Sequence, residues 1–164
     1  RYRGQLYVAT GAGVSKLQEG ERENIPVSSW TFEEQGRISL GRKVLPLEEG
    51  GVMAATSDGI YHQSKEGGWE FLFRRGTFAL HDSRYGSEVY AGKGDGLTIL
   101  RREDGVWEER EIDGFSEDIR SIGERAPGEL WLSTQQGDIF QIRLSEDRTQ
   151  VETVRRFGER QGLP

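Results

Sequence analysis

The chain contains no cysteine. Disulfide bonds, cysteine-zinc sites and thiol nucleophiles are therefore excluded. The compartment stays open, because a periplasmic domain also manages without cysteine. Histidine is almost as scarce. His62 and His81 are the two present. No third imidazole or thiol can join them, and their separation matches no metal-ligand spacing, so structural or surface roles are expected and no metal is. Runs of about 18 apolar residues, the length of a membrane helix, do not occur. No membrane contact by this segment is expected. Basic clusters are missing too. The net charge is −6, from 22 basic and 28 acidic side chains, which repels polyphosphates and anionic surfaces. Arg74-Arg75 and Arg101-Arg102 are too short for a nucleic-acid arm. No nucleophile elbow of the form Gly-x-Ser-x-Gly occurs. Gly92-Lys93-Gly94-Asp95-Gly96 lacks the spacing and the Lys-Ser/Thr ending of a phosphate loop, and it precedes a strand rather than a helix. No cofactor is expected. The opening Arg1-Tyr2-Arg3 shows no Met and no signal-peptide pattern, so the chain reads as a fragment or a mature segment.

Glycine is abundant, at 23 residues, and most of it lies in turn-like contexts between β-rich runs. One short phrase recurs four times. It reads Leu6 to Val14, Val52 to Ile60, Val89 to Leu97 and Leu130 to Ile139: an apolar run, a Thr- or Gly-containing turn, and a second apolar run. The apolar residue after the turn recurs after 46 residues (Val14 to Ile60), 37 (Ile60 to Leu97) and 42 (Leu97 to Ile139). Trp30, Trp69 and Trp107 repeat at 39 and 38 residues, each at the start of a fourth strand. A period of about 40–45 residues with several strands per unit is the mark of a β-propeller blade. The recurring Trp is best explained by packing between neighbouring blades.

First strands are predicted at Arg42 to Leu47, Thr77 to His81 and Ile119 to Glu124. Pro46 sits awkwardly in the first of these, because it donates no ladder hydrogen bond. In the last unit Glu129 to Ser133, Asp138 to Leu144 and Val151 to Phe157 follow as strands two to four. A short helix capped by Ser116 is the rival reading for residues 116–124. The first unit begins at what would be its second strand. The count is therefore three strands and then three sets of four, fifteen in all, in an all-β propeller segment of about four blades. Approximate blade bounds are 1–36 (incomplete), 37–76, 77–114 and 115–164, as a single segment.

The residues 156–164, ending Gly162-Leu163-Pro164, resemble the link between blades in the regulator-propeller repeats of two-component sensors. Ile119-Arg120-Ser121-Ile122 followed by Gly128-Glu129-Leu130-Trp131-Leu132-Ser133-Thr134 is similar to the strand pair those repeats carry. Gly4 to Thr10 also fits, with Tyr7 replacing Trp. Unit two has Met53 at the Trp position. Unit three has Tyr90 there, and Gly92 reads as standing in place of Thr. The resemblance implies a non-catalytic sensor module, extracytoplasmic or periplasmic, in a bacterial signalling protein whose kinase, cyclase or DNA-binding output lies elsewhere.

In such propellers the loops between strands two and three share a face with the links between blades. On that reading Asp58, Arg74, Arg75, Lys93, Asp95, Gln135 and Gln136 are candidate ligand-binding residues. The expected ligand is a small molecule or a glycan. The remaining partners would be further propeller blades or a second copy of the chain, since an incomplete blade exposes an unpaired edge. Two rival functions stand beside the sensor: a sialidase- or glycosidase-like propeller enzyme, and a protein-interaction scaffold. Ser64 to Trp69 is similar to the aspartate box of sialidase-like propellers, with Glu66 at the Asp position. That box is a structural hairpin turn and would not locate an active site.

Overall fold

The computed structural model describes residues 6–11, 13–17, 32–34, 40–47, 51–64 and 68–162. Trp30, Glu66, Leu163 and Pro164 lie outside these residues. All fifteen strands found are antiparallel to their neighbours and fall into four sheets. The chain divides into two compact units, Arg1–Arg75 and Gly76–Pro164.

The first unit holds β1 (Tyr7–Thr10), β2 (Gly13–Leu17) and β3 (Phe32–Glu34) in one sheet, in that order. Its second sheet runs β4 (Gly41–Pro46), β5 (Val52–Thr56), β6 (Gly59–Gln63) and β7 (Trp69–Arg74). Pro46 closes β4, an edge strand, where its missing N–H costs nothing. β5 is apolar up to its closing Thr56 and buried throughout, as a strand covered on both faces must be. Val14 and Ala54 meet between the sheets, with Tyr7, Val44, Tyr61 and Trp69 packed around them. Trp69 thus stands between two sheets, as its periodicity suggested.

The recurring turn has a polar lock. Thr56 Oγ1 donates to the Gly59 carbonyl (2.9 Å) and accepts from the Asp58 and Gly59 N–H groups (3.2 and 3.1 Å). Gly59 sits at φ +151°, and a Cβ there would lie 1.9 Å from the Phe73 carbonyl oxygen, so only glycine fits. Thr10 and Thr134 donate to Gly13 and Asp138 carbonyls in the same way, at 3.4 Å each. The register corrects the reading of the third copy. Lys93, paired with Gly96 as Thr10 is with Gly13, occupies the Thr position; Gly92 does not.

The second unit holds β8 (Thr77–Asp82), β9 (Val89–Lys93), β10 (Gly96–Glu103) and β11 (Val106–Ile112) in one sheet. β12 (Ile119–Ala126), β13 (Glu129–Thr134), β14 (Ile139–Leu144) and β15 (Val151–Phe157) form the other. Residues 119–126 are strand, not helix. Two small boundary corrections follow: β11 starts at Val106, one residue before Trp107, and β14 starts at Ile139 rather than Asp138. Tyr90, Leu97, Ile99 and Ile112 on one sheet face Leu130, Leu132, Phe140 and Ile142 on the other in a single core. Phe115, in the link between the sheets, meets Phe140 edge to face at 5.2 Å. Gly92 explains how closely the sheets approach. A Cβ on it would lie 2.5 Å from Ile119 Cγ2, so the first strand of one sheet rests in the notch left by that glycine.

The first strands share an irregularity. β4, β8 and β12 each skip one residue near their start in pairing with the next strand, at Arg42, Phe78 and Arg120 respectively, and β12 skips a second, Arg125. A β-bulge of this kind turns the extra side chain away from the regular alternation.

The Gly92 notch generates a prediction. Gly92→Val should lower the unfolding free energy by about 2–3 kcal/mol through overpacking against Ile119. Gly123→Ala, where nothing lies within 4 Å of the added carbon, should change it by less than about 0.5 kcal/mol. Urea titrations of both variants check this.

Candidate functional site

The bulges decide what the second unit presents. Phe78 and Arg120, the extra residues of β8 and β12, meet across the two sheets. The Arg120 guanidinium carbon lies 3.6 Å above the Phe78 ring centre. Arg120 also donates to Asp118 Oδ2 at 2.8 Å, which fixes its fork. Both charged side chains remain partly exposed, at 30% and 24%. Arg120 Nε and Asp118 Oδ1 have no hydrogen-bond partner among the described residues. Loops gather around this pair. Gln135 N–H donates to the Asp118 carbonyl, and Gly96 lies against the Phe115 carbonyl. The turn between β9 and β10, the turn between β13 and β14 and the link between the sheets therefore share one end of this unit.

The candidate residues distribute as follows. In the first unit Asp58 and Arg74 come to one end of the β4–β7 sheet, because Arg74 pairs with Gly59; both are exposed. Arg75 follows, exposed, at φ +91°. In the second unit Asp95 and Gln135 are exposed in their turns. Gln136 lines an open depression of about 610 Å³ with Asp138, Arg156 and Arg160. There Arg156 donates to Asp138 at 2.7 Å, and that bond holds the guanidinium above its ordinary pKa. Lys93 is placed differently from the rest. It is 2% exposed, and its ammonium donates to Glu109, which also accepts from Thr98. It is spent inside its own sheet and is not offered to a ligand.

Sequence reasoning missed Phe78, Asp118 and Arg120. Alternation along a strand gives no sign of where a bulge will break it. The available signal was indirect: a bulky or charged residue second in each of three first strands.

A second polar cluster lies at the other ends of β8 and β12. The Glu124 carboxylate, 1% exposed, accepts from Ser83 Oγ (3.0 Å) and Arg84 N–H (3.0 Å). His81 Nε2 stands 3.7 Å from it. Tyr85 hydroxyl donates to the Arg125 carbonyl at 2.9 Å. The loop after β8 is thus clasped to β12. Burial pushes His81 below its ordinary pKa of 6.5; Glu124 opposes that shift and Arg84 adds to it. Burial, with Glu88 next, raises the Tyr90 hydroxyl nearby. Among the described residues no group of three or more His, Asp or Glu is placed to hold a metal ion.

Four antiparallel sheets with a shared turn and sheet-on-sheet packing define an all-β propeller segment. Among solved structures, streptogramin B lyase is similar, with a TM-score of 0.63 and 14% identity over 94% of this chain and 51% of that one. The chain spans about half the length of that protein, and the likeness is one of fold. No family model and no curated protein matches the sequence.

Two outcomes follow from these clusters. Removing the Lys93 partner leaves a buried charge alone, so Glu109→Ala should cost about 3 kcal/mol, whereas replacing both partners, Lys93→Met with Glu109→Leu, should be nearly neutral. Chemical denaturation of the two variants distinguishes them. For His81 the folded pKa lies below the unfolded value, so the folded state binds fewer protons. Its contribution is fully present above about pH 6.5 and is lost as pH falls through the folded value. The urea midpoint should therefore fall on acidification from about pH 7.5 to about pH 5. His81→Gln should flatten that slope.

Proposed function

We propose that the chain is a non-catalytic ligand-binding module, the sensing part of a bacterial signalling protein of the regulator-propeller kind, working outside the cytoplasm. One observation carries the binding reading. Bulges at matching positions in adjoining first strands turn Phe78 and Arg120 onto each other, beside gathered polar loops. Bulges recur next to functional sites because they re-aim side chains. The resulting platform has an aromatic face, a fixed guanidinium and a carboxylate, a set suited to a small polar ligand such as an organic acid or a sugar. Arg120 Nε and Asp118 Oδ1 still have hydrogen-bonding capacity, though both are shielded from solvent. A ligand using them must first swing the Arg120 fork aside. That coupling of binding to a local rearrangement is what a sensor needs, since only differential affinity for two arrangements can bias an output. The signalling context itself is supported by the sequence resemblance over residues 112–164.

The rival reading as an enzyme draws on the fold neighbour, which is named a lyase. Shared fold does not carry activity across. Function should separate the two. A thermal-shift screen of organic acids and mono- and disaccharides should find a stabilising ligand. Arg120→Ala and Phe78→Ala should each weaken it about tenfold, close to the value of one desolvated cation–aromatic or charged hydrogen bond. The ligand should be recovered unchanged after long incubation. Its conversion to product would sink the sensor reading, and binding indifferent to both variants would move the site elsewhere.

A further inference from the structure

The ion pair beside the Phe78 ring is half made. Arg120 donates one terminal N–H to Asp118 Oδ2 at 2.8 Å. Pairs of this kind are frequently bidentate, with two parallel bonds between the fork and the carboxylate. Here the second bond is missing. Arg120 Nε and Asp118 Oδ1 are both buried, and neither has a hydrogen-bond partner among the described residues. The guanidinium is drawn over the Phe78 ring instead, 3.6 Å from its centre. The neighbours leave the gap unfilled. Gln135 gives its N–H to the Asp118 backbone carbonyl, not to the carboxylate. Gly94 lies against the Phe78 ring, where an added Cβ would be 3.6 Å from Cε2, and brings no side chain. The Ser121 and Ser133 hydroxyls bond each other at 2.8 Å.

The two orphan atoms set the chemistry of what can join them. Arg120 Nε carries a hydrogen and only donates; Oδ1 of an ionised Asp118 only accepts. A group that completes both must accept one hydrogen bond and donate another. A hydroxyl does so with one oxygen, and a primary amide does so with its oxygen and nitrogen. A carboxylate has acceptors only. It can take the Nε–H, but Oδ1 then stays unpaired and faces a second negative charge. The Arg120 charge is already balanced by Asp118. Asp95 and Glu117, exposed in the turn and the link around the pair, add no attraction for an anion.

We infer that this site takes a neutral donor–acceptor group, a hydroxyl or a primary amide, and discriminates against carboxylates. The inference rests on the binding reading above and narrows it from small polar ligands to neutral ones. Entry lifts the Arg120 fork from Phe78, and the ring face so uncovered receives the apolar part of the ligand.

Matched pairs test this. Saturation-transfer NMR compares glucose with glucuronate and benzamide with benzoate, at about pH 7.5, where both acids are ionised. The neutral member of at least one pair should bind at least about tenfold tighter than its acid, since the acid leaves a buried acceptor unpaired. The pair that responds tells a hydroxyl ligand from an amide one. Asp118→Asn should reverse the order, because the new amide can turn an N–H toward the ligand and a carboxylate can accept it. The melting temperature of that variant shows whether it is folded, and the order in the unaltered chain is read without it. Acids that bind as well as their neutral partners overturn the inference and leave the binding site standing. So does a preference that a folded Asp118→Asn chain keeps. Binding by none of the four removes the inference; binding by nothing in the wider screen removes the reading it rests on.

Discussion

Close approach between successive sheets is the constraint on which the rest depends. A four-stranded sheet of about forty residues cannot hide both of its faces, so each must be covered by a neighbour. In the second unit the approach is set by Gly92, whose missing side chain admits Ile119. From that contact outward, Tyr90, Leu97 and Ile99 find Leu130, Leu132 and Phe140 across a dry seam. The outermost strand, β15, sets partly buried Val151 against this core and is exposed along most of its length. Burial therefore falls from the second strand of a sheet to its fourth, and the polar residues follow that gradient.

Polar groups inside the seam are handled by pairing rather than by exclusion. Glu124 reaches from β12 into the loop after β8 and accepts from a hydroxyl and a backbone N–H there. An apolar seam alone tolerates sliding; a carboxylate with fixed donors does not. Lys93 and Glu109 do similar work within one sheet, with Thr98 between them. At the Thr position of the turn, this lysine gives up the hydroxyl lock seen at Thr56 and substitutes a cross-strand ion pair.

Much of the architecture was legible in the sequence. The shared phrase, its spacing and the Trp period gave four sheets, and fifteen strands in the observed order. Individual boundaries such as Val151–Phe157 came out as expected, because alternating strands bounded by turn residues leave little freedom. The site was less legible. Asp58, Asp95, Gln135 and Gln136 do lie in turns, as polarity suggested, yet polarity could not tell a wet turn from a binding one. Lys93 looked like a loop cation and is a buried one, since a single sequence does not show that Glu109 waits two strands away. Phe78 and Arg120 escaped because a bulge depends on pairing register, and register is a property of two strands together.

β12 carries both polar clusters at once. Near its start Arg120 rests on Phe78, and four residues later Glu124 grips the loop after β8, about 13 Å away at the usual strand rise. A slip of β12 along its own axis would disturb the Arg120–Phe78 contact and the Glu124 hydrogen bonds together, so one register serves both clusters.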